Sequence, residues 1–251
     1  MKLLVDLGNS RVKWTTLHDG RLGVQQAASY AGWAVADWRR YLFDVNGIEQ
    51  VVAARVGGGP DAAALDEAAR QATGQPVHFV ATTAAACGVR NAYPDARLLG
   101  VDRWLAVIAS YQRVRGPCCV ADVGTAATLD GVSGDGQHLG GFIVPGPDLM
   151  MRSLWGGTAD LASHTATSGA AAGALFADNT RDAIERGCHL AVAALIDRGV
   201  ADMARRLAQR PTLLLTGGAA LAIAPLLETP VDLVPDLVLR GLAAIAGQLA
   251  S

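Results

Sequence analysis

Hydrophobic residues fall in short leucine- and valine-rich runs that alternate with stretches of helical spacing. Lys2–Asp6 and Arg11–Leu17 are apolar runs on either side of Gly8-Asn9-Ser10, the pattern of a hairpin about a tight polar turn. Gln50–Val56 and Val77–Ala81 read as further strands, with an alanine-rich helix over Asp61–Thr73 between them. Val101–Arg113 carries Leu105, Ile108 and Ala109 at helical spacing. Cys118–Asp122 and Thr128–Val132 flank Gly124-Thr125-Ala126 as a second hairpin. A long helix is predicted over Asn179–Gln209, with Ile184, Cys188, Ala191 and Leu195 on its apolar face. Thr212–Thr216 and Val231–Leu233 complete the strands, and Ala219–Leu227 and Asp236–Leu249 the helices. Strands laced with helices in this way predict an α/β fold.

The two hairpins share one grammar. Val5-Asp6-Leu7-Gly8-Asn9-Ser10 and Ala121-Asp122-Val123-Gly124-Thr125-Ala126 each have an apolar strand, then an acid, a spacer, a glycine and a small residue, before a second strand. The repeat lies about half a chain length away, which implies two similar lobes facing each other across a cleft. Gly116-Pro117, a turn pair just before the second copy, puts the expected boundary between residues 1–115 and residues 116–251.

Composition narrows the function classes. With 251 residues, 51% of them hydrophobic and 18% charged, the chain is too apolar to be intrinsically disordered. A formal net charge of −2, with basic residues scattered, leaves no field to hold a nucleic-acid backbone, so no direct nucleic-acid partner is expected. Cys87, Cys118, Cys119 and Cys188 show no metal-ligand spacing, which fits a reducing compartment without structural zinc. The apolar stretch before Asp6 is too short for a signal peptide. The leucine-rich uncharged run Pro211 to Leu227 is broken by Gly217-Gly218 and Pro225 and is too short to span a bilayer. A cytoplasmic protein with no membrane partner is expected.

In the first hairpin Gly8 lets the backbone turn so that successive N–H groups converge on a concavity that holds an anion. Asn9 and Ser10 add short donors, Asp6 stands where it can hold a water on Mg²⁺, and Lys13 lies on the following strand. An ordinary Asp-x-Gly turn with a solvated Lys13 has the same pattern. The second hairpin, Asp122 to Thr128, repeats the acid and adds two hydroxyls. A third element, Leu213-Leu214-Leu215-Thr216-Gly217-Gly218, is a strand leading through two glycines to a helix, against which a nucleoside can lie. Phosphate turn, phosphate turn and nucleoside turn, in that order, resemble the actin-like ATPase and sugar-kinase superfamily. That resemblance implies two ribonuclease-H-like lobes with a nucleotide cleft between them.

Gly100-Val101-Asp102-Arg103-Trp104 opens a helix, and the positive end of the helix dipole favours an ionised Asp102. A carboxylate beside a cation suits a base for a substrate hydroxyl next to a site for a substrate anion. It equally suits a first-turn acid with a solvated arginine neighbour.

The whole set resembles the type III pantothenate kinases. The matching pieces are Asp6 to Ser10, Tyr93 before Gly100-Val101-Asp102-Arg103, and Asp122 to Thr128. They continue through Gly140-Gly141-Phe142-Ile143-Val144-Pro145-Gly146, Asn179 to Ile184, and Thr216-Gly217-Gly218. The resemblance implies ATP-dependent phosphorylation of pantothenate to 4′-phosphopantothenate, the first step of coenzyme A synthesis. It implies that Asp6, Leu7, Gly8, Asn9, Ser10, Arg11, Val12 and Lys13 bind the ATP phosphates with help from Thr125. Asp102 would be the proton acceptor, with Tyr93, Gly100, Val101 and Arg103 lining the pantothenate pocket. Asp122 would bind a monovalent cation, K⁺ or NH4⁺, and Mg²⁺ would bridge the phosphates. A homodimer is implied, with Thr180 reaching the substrate across the interface.

Plainer readings stand beside several of these. Tyr93 suits a packed loop aromatic, Thr180 a helix N-cap, and Gly140, Gly141 and Gly146 ordinary turns. His18, His78, His138, His164 and His189 are isolated and are assigned no chemistry, while Trp33, Trp38 and Trp155 read as packing or surface residues. Where relatives often carry Leu-Pro ahead of the Thr180 helix, this chain has Leu161-Ala162-Ser163, followed by a small-residue stretch over Ala166–Ala177. Two other classes of function remain open: a transcriptional accessory or regulatory protein on the same scaffold, and an actin-like ATPase switch.

Overall fold

A computed structural model describes residues 1–9, 11–55, 60–157 and 176–248. Ser10, Val56, Leu161-Ala162-Ser163, His164 and the part of Ala166–Ala177 before Phe176 lie outside the described residues. The strands are β1 (Lys2–Leu7), β2 (Val12–His18), β3 (Arg21–Leu22), β4 (Gln26–Ala28), β5 (Gln50–Arg55), β6 (His78–Phe79), β7 (Ala85–Ala86) and β8 (Val89–Arg90). They continue with β9 (Cys118–Val123), β10 (Ala126–Val132), β11 (His138–Pro145), β12 (Thr212–Thr216) and β13 (Val231–Leu233). The helices are α1 (Val35–Leu42), α2 (Pro60–Thr73), α3 (Val101–Val114), α4 (Pro147–Gly157), α5 (Thr180–Leu207), α6 (Ala220–Ile223) and α7 (Leu237–Gln248).

Two compact units result. The first runs from Met1 to Arg113 and adds Gly136–His138 and the segment from Asp236 onward; the second takes Val114–Asp135 and Leu139–Pro235. The segment from Asp236 was expected in the second lobe, yet α7 packs on β1, β2 and β5 of the first. Gly241 also lets α7 lie close to α3, because a Cβ there would collide with the Leu105 backbone.

In the first unit the sheet order is β3-β2-β1-β5-β6, with β4 also on β2. β1 pairs antiparallel with β2 and parallel with β5. Side chains alternate along a strand, so Leu3, Val5 and Leu7 pack in the layer formed with Trp38 and Leu42 of α1 and Leu65 and Ala68 of α2. Leu4 and Asp6 therefore take the opposite face, and both are buried. A strand buried on both faces reads as the continuous apolar run seen over residues 3–5.

The second unit repeats this plan. Its order is β11-β10-β9-β12-β13, with β9 antiparallel to β10 and parallel to β12. Cys119, Ala121 and Val123 face Val192, Ile196 and Val200 of α5, leaving Asp122 on the other face, as Asp6 is in the first unit. The echo in the sequence is thus a repeat of topology: a central strand with its hairpin partner on one side and a parallel strand on the other. The buried face of α5 is Cys188, Val192, Ala193, Ile196, Gly199, Val200 and Met203. The predicted face drifts off it, with Ala191 exposed and Ile184 half-buried. Four-residue steps from Cys188 follow the sheet, whereas the step to Ala191 turns toward solvent.

Strand β11 carries the Gly140–Gly146 motif, whose glycines interrupt the strand pattern in the sequence, and helix α4 follows it. The glycines have steric reasons. A Cβ on Gly141 would collide with the Leu129 carbonyl of β10, and one on Gly146 with the Gly124 carbonyl of the second turn. Gly146 N–H also donates to the Thr125 carbonyl at 2.8 Å, so the corner after β11 rests directly on that turn. Replacing Gly146 with Ala is expected to cost about 1–3 kcal/mol through overpacking, read as a lower urea midpoint.

Cys118 and Cys119 sit in β9 as small hydrophobes. Burial, with a smaller electrostatic contribution from a neighbouring group, pushes both thiols up to about 12. Cys119 Sγ lies 3.2 Å from Met203 Sδ. At pH 8 an alkylating agent is expected to label the half-buried Cys87 of the native protein and to spare Cys118 and Cys119, as peptide mass analysis will read. The folded state holds those two protons more tightly than the unfolded chain does. Their contribution to stability is therefore complete below about pH 8.5, the usual thiol value, and is lost as the pH rises toward 12.

Candidate active site

The first turn joins the end of β1 to β2. Asp6 stands opposite Lys13 and Leu7 opposite Val12 in the antiparallel register, while Asp6 also neighbours Ala54 of β5. Directly opposed residues present their side chains on one face, so Asp6 and Lys13 share a face at the mouth of the turn. Asp6 is only 8% exposed and Lys13 is half-buried. Leu7 and Val12 belong to the core, so only their backbones can meet a phosphate. Gly8 N–H donates to Arg11 O at 3.2 Å, which closes the turn. Asn9 and Arg11 are exposed at its tip.

The second turn is one residue shorter between its paired positions, since Val123 faces Ala127 and Asp122 faces Thr128. Gly124 N–H donates to Ala126 O at 2.9 Å, and Thr125 is exposed. On its other side Asp122 neighbours Thr216 of β12. Gly217 follows with φ +100°, a conformation that favours glycine. A Cβ there would strike both Val123 O and Asp122 Oδ1. Ala219 N–H donates to Val123 O at 2.9 Å. The Thr216-Gly217-Gly218 element and the second acidic turn are therefore one packed assembly in the second unit. Among the described residues no group of three or more His, Cys, Asp or Glu is placed to hold a metal ion.

Back in the first unit, α3 carries Asp102 in its first turn. Asp102 Oδ1 accepts the Arg103 N–H at 2.8 Å, so the carboxylate folds over the start of the helix. A Cβ on Gly100 would stand 2.7 Å from that oxygen, which explains a glycine two residues before the acid. Behind it the helix is buried from Arg103 to Ser110. The Arg103 side chain is only 7% exposed. Its Nη1 donates to the Tyr93 hydroxyl at 3.2 Å, and its Cζ lies 5.9 Å from the centre of the Tyr93 ring. Tyr93, Gly100, Val101, Asp102 and Arg103 thus gather at one end of α3.

His138, isolated in the sequence, joins them. It is buried, its Nδ1 faces the Ala92 N–H at 3.4 Å, and its ring lies 6.3 Å from that of Tyr93 at an interplanar angle of 10°. Nothing near His138 in the sequence signals this, because the contact spans more than forty residues.

Thr180 lies elsewhere, at the start of α5 in the second unit, and it is not the cap. Asn179 Oδ1 accepts the Asp182 N–H at 3.0 Å, and Asn179 Nδ2 donates to Asp182 Oδ2 at 3.0 Å. That pair satisfies the helix end, so Thr180 is the exposed first helical residue with no capping duty.

The family model described as type III pantothenate kinase matches residues 2–202. The chain belongs to the type III pantothenate kinase family. A type III pantothenate kinase of Nitrosococcus oceani is 38% identical over 266 residues, spanning 98% of this chain and 94% of that protein. The one from Aromatoleum aromaticum is 38% identical over 253 residues and spans 100% of both. Among solved structures, a Sinorhizobium meliloti protein provisionally named a 2-dehydro-3-deoxygalactonokinase superposes with a TM-score of 0.58 at 12% identity, covering 99% of each chain. That likeness is one of fold, and with the two sheets of like topology it bears out the α/β, actin-like and sugar-kinase architecture expected for a pantothenate kinase of this type. Among the described residues no helix is long and apolar enough to cross a membrane.

The different duties of Asn179 and Thr180 are separable. Asn179→Ala is expected to cost about 1 kcal/mol of stability, while Thr180→Ala leaves the unfolding midpoint unchanged, as denaturant titration of both variants will show.

Proposed function

We propose that this chain transfers the γ-phosphoryl group of ATP to the primary hydroxyl of pantothenate, giving 4′-phosphopantothenate in the first step of coenzyme A synthesis. Membership of the kinase family over residues 2–202 carries this reading. ATP and pantothenate are its substrates.

Asp102 is the base in this reading. Phosphoryl transfer through a loose transition state needs it chiefly to orient the hydroxyl and to accept the proton late. Arg103 supplies the positive charge for the pantothenate carboxylate. Its bond to Tyr93 supports that role, since the tyrosine ring restricts where the guanidinium can point. Gly100 and Val101 complete the pocket by backbone contact.

The first turn, from Asp6 to Lys13, binds the ATP phosphates, with Lys13 on the Asp6 face and Thr125 assisting. A site with one carboxylate suits Mg²⁺, which keeps most of its waters and takes its other ligands from phosphates. Asp6, at the mouth of the turn, would hold such a water. When bound, Mg²⁺ neutralises charge on the phosphates. Asp122 is a half-buried carboxylate with Thr128 and Thr216 on its flanking strands, a hard-oxygen setting that suits K⁺ or NH4⁺.

A homodimer with Thr180 reaching the partner's substrate belongs to the same reading. Its support is the exposure of Thr180 and a group of exposed apolar side chains on β11 and α4, Phe142, Ile143, Leu149 and Leu154. A cytoplasmic location follows from the substrates.

The test is ATP consumption with and without pantothenate. Pantothenate-dependent turnover is expected, and turnover indifferent to pantothenate would overturn the kinase reading. Asp102→Asn is expected to bind ATP normally and to lose at least about a hundredfold in kcat, the usual scale of general-base catalysis; a fully active variant would remove Asp102 from that role.

A further inference from the structure

The first acidic turn has a brace that neither the motif nor the family resemblance assigns. Tyr30 Oη donates to the Gly8 carbonyl at 2.6 Å, a short hydrogen bond to the turn that carries the phosphate reading. Three features hold the tyrosine there. Strand β4 pairs with β2 at Val12↔Ala28, which delivers the chain to the turn two residues before Tyr30. Trp33 N–H then donates to Tyr30 O at 2.9 Å, closing a tight turn through Gly32, whose φ is +79°. Finally the Tyr30 ring lies 5.5 Å from that of Trp38, which is itself fully buried and packed edge-on to Trp33 at 4.9 Å.

The consequence lies in the peptide plane. In a trans peptide the carbonyl of one residue and the N–H of the next point in opposite directions. A hydrogen bond that draws the Gly8 carbonyl toward Tyr30 therefore aims the Asn9 N–H away from it. The N–H of Gly8 is already committed to Arg11 O, so the Asn9 N–H is the next backbone donor the turn can offer an anion. The second turn is braced by a backbone contact, Gly146 N–H on the Thr125 carbonyl, which by the same geometry aims the Ala126 N–H. The first turn has a side chain in that office.

We propose that Tyr30 is a positioning residue for the nucleotide: its hydroxyl sets the Gly8–Asn9 peptide so that the Asn9 N–H is presented to a phosphate oxygen of ATP. The inference rests on the reading that the Asp6–Lys13 turn binds those phosphates. Burial, and to a lesser degree the Asp61 carboxylate, pushes the Tyr30 phenol up from its ordinary value, so the hydroxyl is a donor throughout the neutral range. Tyr30 touches no reacting atom and acts through the peptide alone.

Tyr30→Phe keeps the ring against Trp38 and removes only the donor. The expected result is a rise in KM for ATP of about five- to tenfold, the scale of one lost hydrogen bond, with kcat and the KM for pantothenate within twofold of the parent. Deuterium exchange in a peptide spanning Leu7–Val12 is expected to quicken in the variant, a readout that needs no turnover. An unchanged KM for ATP overturns the proposal, as does a fall in thermal midpoint with both KM values unmoved, the mark of a packing role only. Lys13→Ala and Asp6→Asn separate this outcome from failure of the underlying reading. If both bind ATP as the parent does, the first turn is not the phosphate site. If both weaken binding while Tyr30→Phe does not, only the role of Tyr30 falls.

Discussion

The constraint on which everything else depends is the pairing of one buried strand in each unit. β1 and β9 each run antiparallel to the strand that follows their own turn and parallel to a strand supplied from later in the chain. Held on both edges and packed on both faces, such a strand has no freedom to slip, because a one-residue shift would exchange its buried faces. The acid one residue before its end is thereby placed with the accuracy of the core. The turn beyond it inherits that placement.

The glycines then follow from close approach. Gly146 and Gly217 both press backbone against the second turn where a Cβ would strike a carbonyl oxygen. Gly100 serves a different end, leaving room for the Asp102 carboxylate to fold over the N-terminus of α3. Around these backbone contacts the polar chemistry is built from few side chains. Arg103 leans on Tyr93, Tyr93 on His138, and the first turn on Tyr30. Tyr30, Arg103 and His138 are held by burial, and the half-buried Tyr93 by its contacts with the last two.

Much of the element pattern was legible in the sequence. The two hairpins, α3, α5 and the β12 strand lie close to where hydrophobic spacing puts them, since each buries a face of regular period. The short strands β3, β4, β7 and β8 and helix α1 were not legible. At two to eight residues they are too brief to show a period, and they exist through pairing or packing with distant partners. The apolar face of α5 was misjudged for a related reason. Several residues on a long helix of small and apolar side chains fit more than one stripe, and only the sheet beneath selects among them.

By itself the sequence determined the alternation of strands and helices, the repeated acidic turn and the family, because these reside in local spacing and in motifs whose order survives without coordinates. Tertiary structure alone decided which residues support those motifs. Tyr30 at Gly8, His138 beside Tyr93, Asn179 in place of Thr180 as the cap, and α7 on the first sheet are all choices among residues equally suited by type. The physical reason is range. A turn or a helix period is written in neighbours along the chain, whereas a hydrogen bond or ring contact between remote residues depends on how two whole elements come to pack.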